Sequence, residues 1–188
     1  MREIMQLFRP GALLLSLHFA APAVYCQVLT GLSTRWDDSF REWVVQSADG
    51  EGQSELRMRW QMQNDWTQWD YRLGERTGQI RQKWPDNPNE WEVRGDNQIL
   101  LARTVFHNDF RQWRLSDGAR TLTIQSRYGN SAEEWETRDA DAGSFVMYTA
   151  WEGDPRDWVI VDELEADIDL PWKMALAFLV MFHSTPKQ

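Results

Sequence analysis

Trp43, Trp69, Trp91, Trp113, Trp135 and Trp158 follow one another at intervals of 26, 22, 22, 22 and 23 residues. A sustained period of this size signals one supersecondary unit used again and again, and it restricts the fold more than any other feature of the chain. The surroundings recur as well. Each Trp follows Glu42, Gln68, Glu90, Gln112, Glu134 or Asp157. Asn or Asp lies four or five residues upstream (Asp38, Asn64, Asn87, Asn108, Asn130, Asp154). Two places downstream come Val45, Tyr71, Val93, Leu115, Thr137 and Ile160.

Each unit reads as a β-hairpin. In "WRLSDGARTLTIQSRYGN" a short Trp-led strand meets a Ser-Asp-Gly turn, then "TLTIQSRY" sets Leu122, Ile124 and Tyr128 at even spacing. Alternation of this kind belongs to a half-buried strand. Leu56, Met58 and Trp60 share one face in another unit, and Phe145, Met147 and Trp151 do so in a third. The upstream Asn or Asp suits the connecting turn, because such side chains bond nearby backbone and tolerate left-handed conformations. Five full hairpins, the lone strand "WVIV" of a sixth unit and an opening strand over residues 28–36 make twelve strands. Short connections make neighbours antiparallel, and closure into a barrel removes both open edges.

Eight strands are filled by their own side chains, whereas wider barrels leave space inside. The chain ends in "LPWKMALAFLVMFH", whose nine residues Met174–Phe182 are all apolar. A helix apolar on every side is buried on every side. About 13 residues at about 1.5 Å each give roughly 20 Å, the length of a six-residue strand. The reading is therefore a central helix over about 170–183, with Pro171 in its first turn and Asp167 or Asp169 as cap.

Twelve strands, W-x-apolar hairpins and this closing segment resemble the tubby C-terminal-like fold of tubby domains, phospholipid scramblases and LURP-one-related proteins. The resemblance is architectural and covers roughly residues 28–184. It implies an all-β closed barrel of hairpin repeats around a helix, and it suggests lipid headgroups as a ligand class. The clustered Lys and Arg of the tubby phosphoinositide site are not matched by Lys83, Lys173 and Lys187, so no site residue carries over. The competing fold is a smaller, hollow, lipocalin-like barrel with its helix outside, yet an external helix should carry a polar stripe. The apolar stretch is too short for a membrane anchor, which needs roughly 20 residues. A propeller would need about 40 residues per blade.

Arg2 and Arg9, the run "GALLLSLHFAAPA" and Ala21-Pro22-Ala23 predict an export signal over residues 1–23, followed by a single domain over 24–188. Removing it leaves 18 Lys and Arg against 28 Asp and Glu, a net of −10. That field opposes nucleic acid and simple anionic surfaces. The sole cysteine, Cys26, can form no internal disulfide. Tyr25, where a small residue would be wanted, argues against a lipoprotein anchor at Cys26. The expected location is secreted or periplasmic, with no transmembrane span and a monomeric barrel.

Chemistry is sparse. His107, in a turn, and His183, at the helix end, stand far apart in the sequence and supply neither a zinc site nor a nucleophile's base. A positive His183 would suit a helix C-terminus. The acids before each Trp recur with the unit, which points to structure. Asp139-x-Asp141-x-Gly143 opens like a calcium loop, but Ala150 stands where the bidentate Glu belongs. "DELEADID", Asp162–Asp169, reads as a solvated linker or a calcium candidate. No catalytic, metal or cofactor site is therefore assigned. The six spaced Trp are expected to pack inside; an outward set would suit sugar rings or a membrane interface. Two function classes follow: a non-catalytic interaction module for a protein, lipid or glycan, or a carrier or enzyme on a hollow barrel.

Overall fold

The computed structural model describes residues 27–50 and 52–187. The export signal over 1–23 and Cys26 lie outside the described residues. The strands are β1 (Leu29–Trp36), β2 (Ser39–Ser47), β3 (Ser54–Trp60), β4 (Asp65–Leu73), β5 (Arg76–Gln82) and β6 (Glu90–Gly95). They continue as β7 (Gln98–Thr104), β8 (Gln112–Ser116), β9 (Thr121–Tyr128), β10 (Ser131–Thr137), β11 (Gly143–Trp151) and β12 (Asp154–Leu164). One helix, α1 (Leu170–Ser184), closes the fold.

Every strand pairs antiparallel with its sequence neighbours, and β12 returns to β1 through Gly31↔Val159, Leu32↔Trp158 and Ser33↔Asp157. Twelve strands thus form a closed barrel with no free edge. The six spaced Trp all stand on even-numbered strands and are at most 1% exposed. Leu56, Met58, Leu122, Ile124, Phe145 and Met147 face the same core, as their alternation indicated.

Trp60, Tyr128 and Trp151 depart from the faces assigned to them. They are 46–69% exposed. The register shifts between Met58 and Trp60, between Thr149 and Trp151, and beside Tyr128 between Ser131 and Trp135. Such bulges bend the strand and end the strict in–out alternation.

The helix is buried on every side, from Leu170 through Phe182. Phe178 meets Trp69 and Trp91 edge-on, at 5.7 and 4.9 Å between ring centroids, and α1 also packs on β7, β8 and β10. This places the helix inside the barrel, where the hollow alternative would have put it outside. Asp169 occupies the cap position, and its carbonyl accepts from Trp172 N–H (3.0 Å). Its carboxylate instead accepts from Gln98 Nε2 (2.5 Å), and Asp167 pairs with Arg120 (2.5 Å). The expected side-chain cap is therefore absent, because both acids are held by wall residues.

Among the described residues, one buried cation lies in this core. Lys173, 1% exposed, sits 2.8 Å from Asp162 Oδ2 on β12 and donates to the Gln27 carbonyl at 3.0 Å. Asp162 also accepts from Leu29 N–H (2.9 Å) and Leu164 N–H (3.3 Å). Part of "DELEADID" is thus interior wall; the reading of it as a solvated linker fails at Asp162.

Candidate functional site

All odd-numbered strands end, and all even-numbered strands begin, at the same mouth of the barrel. The residue four before each buried Trp shapes that turn, its side chain accepting the N–H two residues on. Ser39 accepts from Arg41 (3.3 Å), Asp65 from Thr67 (2.9 Å), Asn87 from Asn89 (3.1 Å), Asp109 from Arg111 (3.1 Å), Ser131 from Glu133 (3.2 Å) and Asp154 from Arg156 (3.1 Å). These Asx- and ST-turns open the even strands. Next, the indole N–H of Trp43, Trp69, Trp113, Trp135 and Trp158 donates to the carbonyl three residues earlier, at 2.8–2.9 Å. Trp91 Nε1 has no such partner, although its ring is clasped edge-on by Phe178 and Phe182.

These turns carry a second set of aromatics. Trp36, Trp60, Trp84, Phe106, Tyr128 and Trp151 stand at or just past the ends of the six odd strands, 46–69% exposed, with Met62 fully exposed beside Trp60. Five lie seven residues before the buried Trp of their unit. In the remaining unit a 3-10 turn, Gln61–Gln63, stretches the gap to nine. Polar neighbours hold several of the rings. Trp36 Nε1 donates to Glu42 Oε2 (3.1 Å), the Lys83 ammonium lies 5.4 Å from the Trp84 ring, and the Arg127 guanidinium lies 5.7 Å from Tyr128. Cations over aromatic faces are attracted by the ring quadrupole.

The middle of this mouth is closed by the end of α1. Ser184 Oγ donates to the Ala132 carbonyl (2.9 Å) and Thr185 Oγ1 to the Met181 carbonyl (2.8 Å). Lys187 donates to the carbonyls of Thr185 (3.0 Å) and Phe182. His183 lies flat on Phe110, 4.9 Å between centroids, and 4.8 Å from Trp113. Burial, then the nearby Lys187 charge, pushes its pKa down to about 3. The histidine is therefore neutral, and Lys187 supplies the cation at the helix terminus.

Three acids of the mouth, Glu42, Asp109 and Asp154, are held as carboxylates. Glu42 is held below its ordinary pKa, chiefly by the hydrogen bond from Gln61, then by that from Trp36 and by the charges of Arg35 and Arg57. Arg111 does the same for Asp109, and Arg156 for Asp154.

The residues singled out from the sequence are scattered. His107 is exposed between β7 and β8. Asp139 accepts from Thr123 N–H beside the 3-10 turn Ala140–Ala142. Asp162, Asp167 and Asp169 each engage a different partner. Among the described residues no group of three or more His, Cys, Asp or Glu could hold a metal ion, and no helix is long and apolar enough to cross a membrane.

The sequence pattern sets Trp60, Tyr128 and Trp151 on the faces of their strands and does not single out Trp36, Trp84 or Phe106, so the rim does not emerge from it. The signal that finds it is aromatic-x2-[Ser/Asp/Asn]-x3-Trp, present in five units and lengthened by two residues in the unit of Trp60 and Trp69. No family model matches this chain, and neither the curated proteins nor the solved structures include a match.

Proposed function

We propose that this protein is an exported, non-catalytic interaction module on a tubby-like barrel, and that it lies against a zwitterionic membrane interface through its aromatic rim. The observation that carries the reading is the exposed ring Trp36, Trp60, Trp84, Phe106, Tyr128 and Trp151, one residue at the end of each odd strand. None of these side chains is needed to fill the core, which α1 and the buried Trp already occupy. Six residues around one mouth meet a flat partner together, and Trp and Tyr lodge at the membrane–water boundary because their rings are apolar with one polar atom. The acidic balance selects among membranes: a chain of net charge −9 is repelled by anionic lipid and indifferent to a neutral headgroup.

The test is flotation of residues 24–188 with phosphatidylcholine vesicles and with vesicles containing phosphatidylserine, with and without calcium. The comparison protein carries Ser at all six rim positions; exposed substitutions of this kind move stability little one at a time. Binding to phosphatidylcholine that weakens at least tenfold in the Ser variant supports the reading. Absence of binding, equal binding by the variant, or binding confined to anionic vesicles with calcium overturns it.

A further inference from the structure

On the outer wall of β5–β9, running from beside the rim residues Trp84 and Phe106 toward the β8–β9 turn, a groove of about 600 Å³ is lined in part by Ile99, Leu101, Val105, Lys83, Arg103 and Arg114. Its charges are arranged against the trend of the molecule. Arg103 on β7 and Arg114 on β8 are directly opposite each other in the ladder. Side chains in such a pair start only about 5 Å apart, and like charges there are destabilising. Elsewhere on the wall, Arg59, Arg76, Arg81, Arg94, Arg120 and Arg127 each have a carboxylate within ion-pair distance. Here, Glu90 alone serves both Arg103 (3.5 Å) and Lys83 (3.7 Å), and Arg114 makes no ion pair or hydrogen bond among the described residues.

The other carboxylates of the groove are committed. Glu92 is tied to Arg81 (3.0 Å) and Arg94 (2.6 Å), and Asp117 accepts the turn N–H groups of Ala119 (2.8 Å) and Arg120 (2.7 Å). An acidic chain thus leaves two opposed guanidiniums short of negative charge. Beside them Leu101 and Ile99 form an apolar strip, flanked at Leu101 by Glu92 and Ser116, and Ile99 is half exposed. Leu101 and Ile99 continue outward along β7 from Arg103, a run of about 13 Å at about 3.3 Å per residue.

We infer that this groove binds a single-chain amphipathic anion of the fatty-acid type. Its head would lie between Arg103 and Arg114, accepting paired N–H bonds from the planar guanidiniums. Its alkyl chain would lie along Leu101 and Ile99. The anion neutralises the like-charge pair and the chain covers the exposed apolar floor, so both parts of one ligand answer a feature of the wall.

Calorimetric titration of the full chain tests this with dodecanoate and dodecyl phosphate as anionic probes, and acetate and dodecanol as the head and tail alone. Saturable binding of at least one anionic probe is expected, at least tenfold tighter than either fragment; the two anionic arms tell carboxylate from phosphate. Arg114→Gln should weaken that binding at least tenfold, and Arg114→Lys less, while the six-Ser rim variant binds as the parent does. Because the substitution relieves repulsion, Arg114→Gln without ligand should melt no lower than the parent, a readout that a purely structural arginine would fail. Dodecanol binding as well as the anions, or binding unaffected by Arg114→Gln, overturns the inference.

Discussion

His183 lies against Phe110, Trp113 and Phe182, and burial keeps it neutral in the fold, with its pKa near 3 against an ordinary value of 6.5. Below pH 6.5 the unfolded chain therefore takes up a proton that the folded chain refuses. Stability falls on acidification through the window from 6.5 toward 3, and rises with pH across it. The depressed carboxylates, Glu92 and Asp109 among them, weaken the fold only as pH drops below their ordinary range near 4 to 4.5. Denaturant unfolding at pH 6.5 and 5.0 consequently isolates the histidine: about 1–2 kcal/mol should be lost in the parent and retained in His183→Phe, at about 1.4 kcal/mol per unit less some screening. Equal losses in both proteins would show His183 to be hydrated. Tyr71 gives a second test. Its ring covers Gly78 and Gly95, and a Cβ on Gly95 would fall 2.1 Å from the Tyr71 hydroxyl oxygen. Gly95→Ala should cost about 1–3 kcal/mol in thermal unfolding, and Tyr71→Phe in the same chain should recover part of it. No recovery would place the strain elsewhere. Neither residue was legible in the sequence: burial reverses the charge expected of His183, and the Tyr–Gly–Gly contact joins three strands.

Helix α1 was legible because an all-apolar stretch has one stable place in a barrel. The ion pair that ties it to the wall was not. Lys173 and Asp162 lie on different elements, and only the return of α1 into the barrel brings them to 2.8 Å. Breaking one side of a buried pair leaves an uncompensated charge, worth about 3–5 kcal/mol. Lys173→Met and Asp162→Asn should each destabilise by that order. The double variant should be clearly less unstable than the sum, since neither buried charge then remains. A strictly additive double-mutant cycle would mean that the two groups do not interact. The turns tell the opposite story. Their hydrogen bonds span two or three residues, so the spacing of Ser, Asp or Asn four places before Trp carried the information in full. The sequence reading includes it at Asn87 and Asp154 and elsewhere takes an Asn or Asp one place away, such as Asn64 and Asn108; those two adopt positive φ of 53° and 60° without making the N–H contact.

The barrel as a whole was legible in its strand number, closure and plug, because each follows from hairpins of nearly constant length. Its outer surface was not. Opposition of Arg103 and Arg114 is a matter of register between strands. The exposure of the rim depends on register shifts near Trp36, Trp60, Tyr128 and Trp151 and on strands that end before Trp84 and Phe106, which the alternation of residues does not reveal. What unites these surfaces is that the interior is occupied: binding must use the outer wall and the mouth if α1 fills the bore. Four Asp substitutions across one turn of α1, at Ala175, Leu176, Ala177 and Phe178, test this most directly, because successive residues point about 100° apart and together sample the whole circumference. All four sites are fully buried. Calorimetry and circular dichroism should find no cooperative unfolding transition near the parent's in any variant, since each would bury an unpaired carboxylate in the core. A variant that stays folded with the parent's melting temperature would expose one face of the helix to solvent, and would contradict the filled barrel.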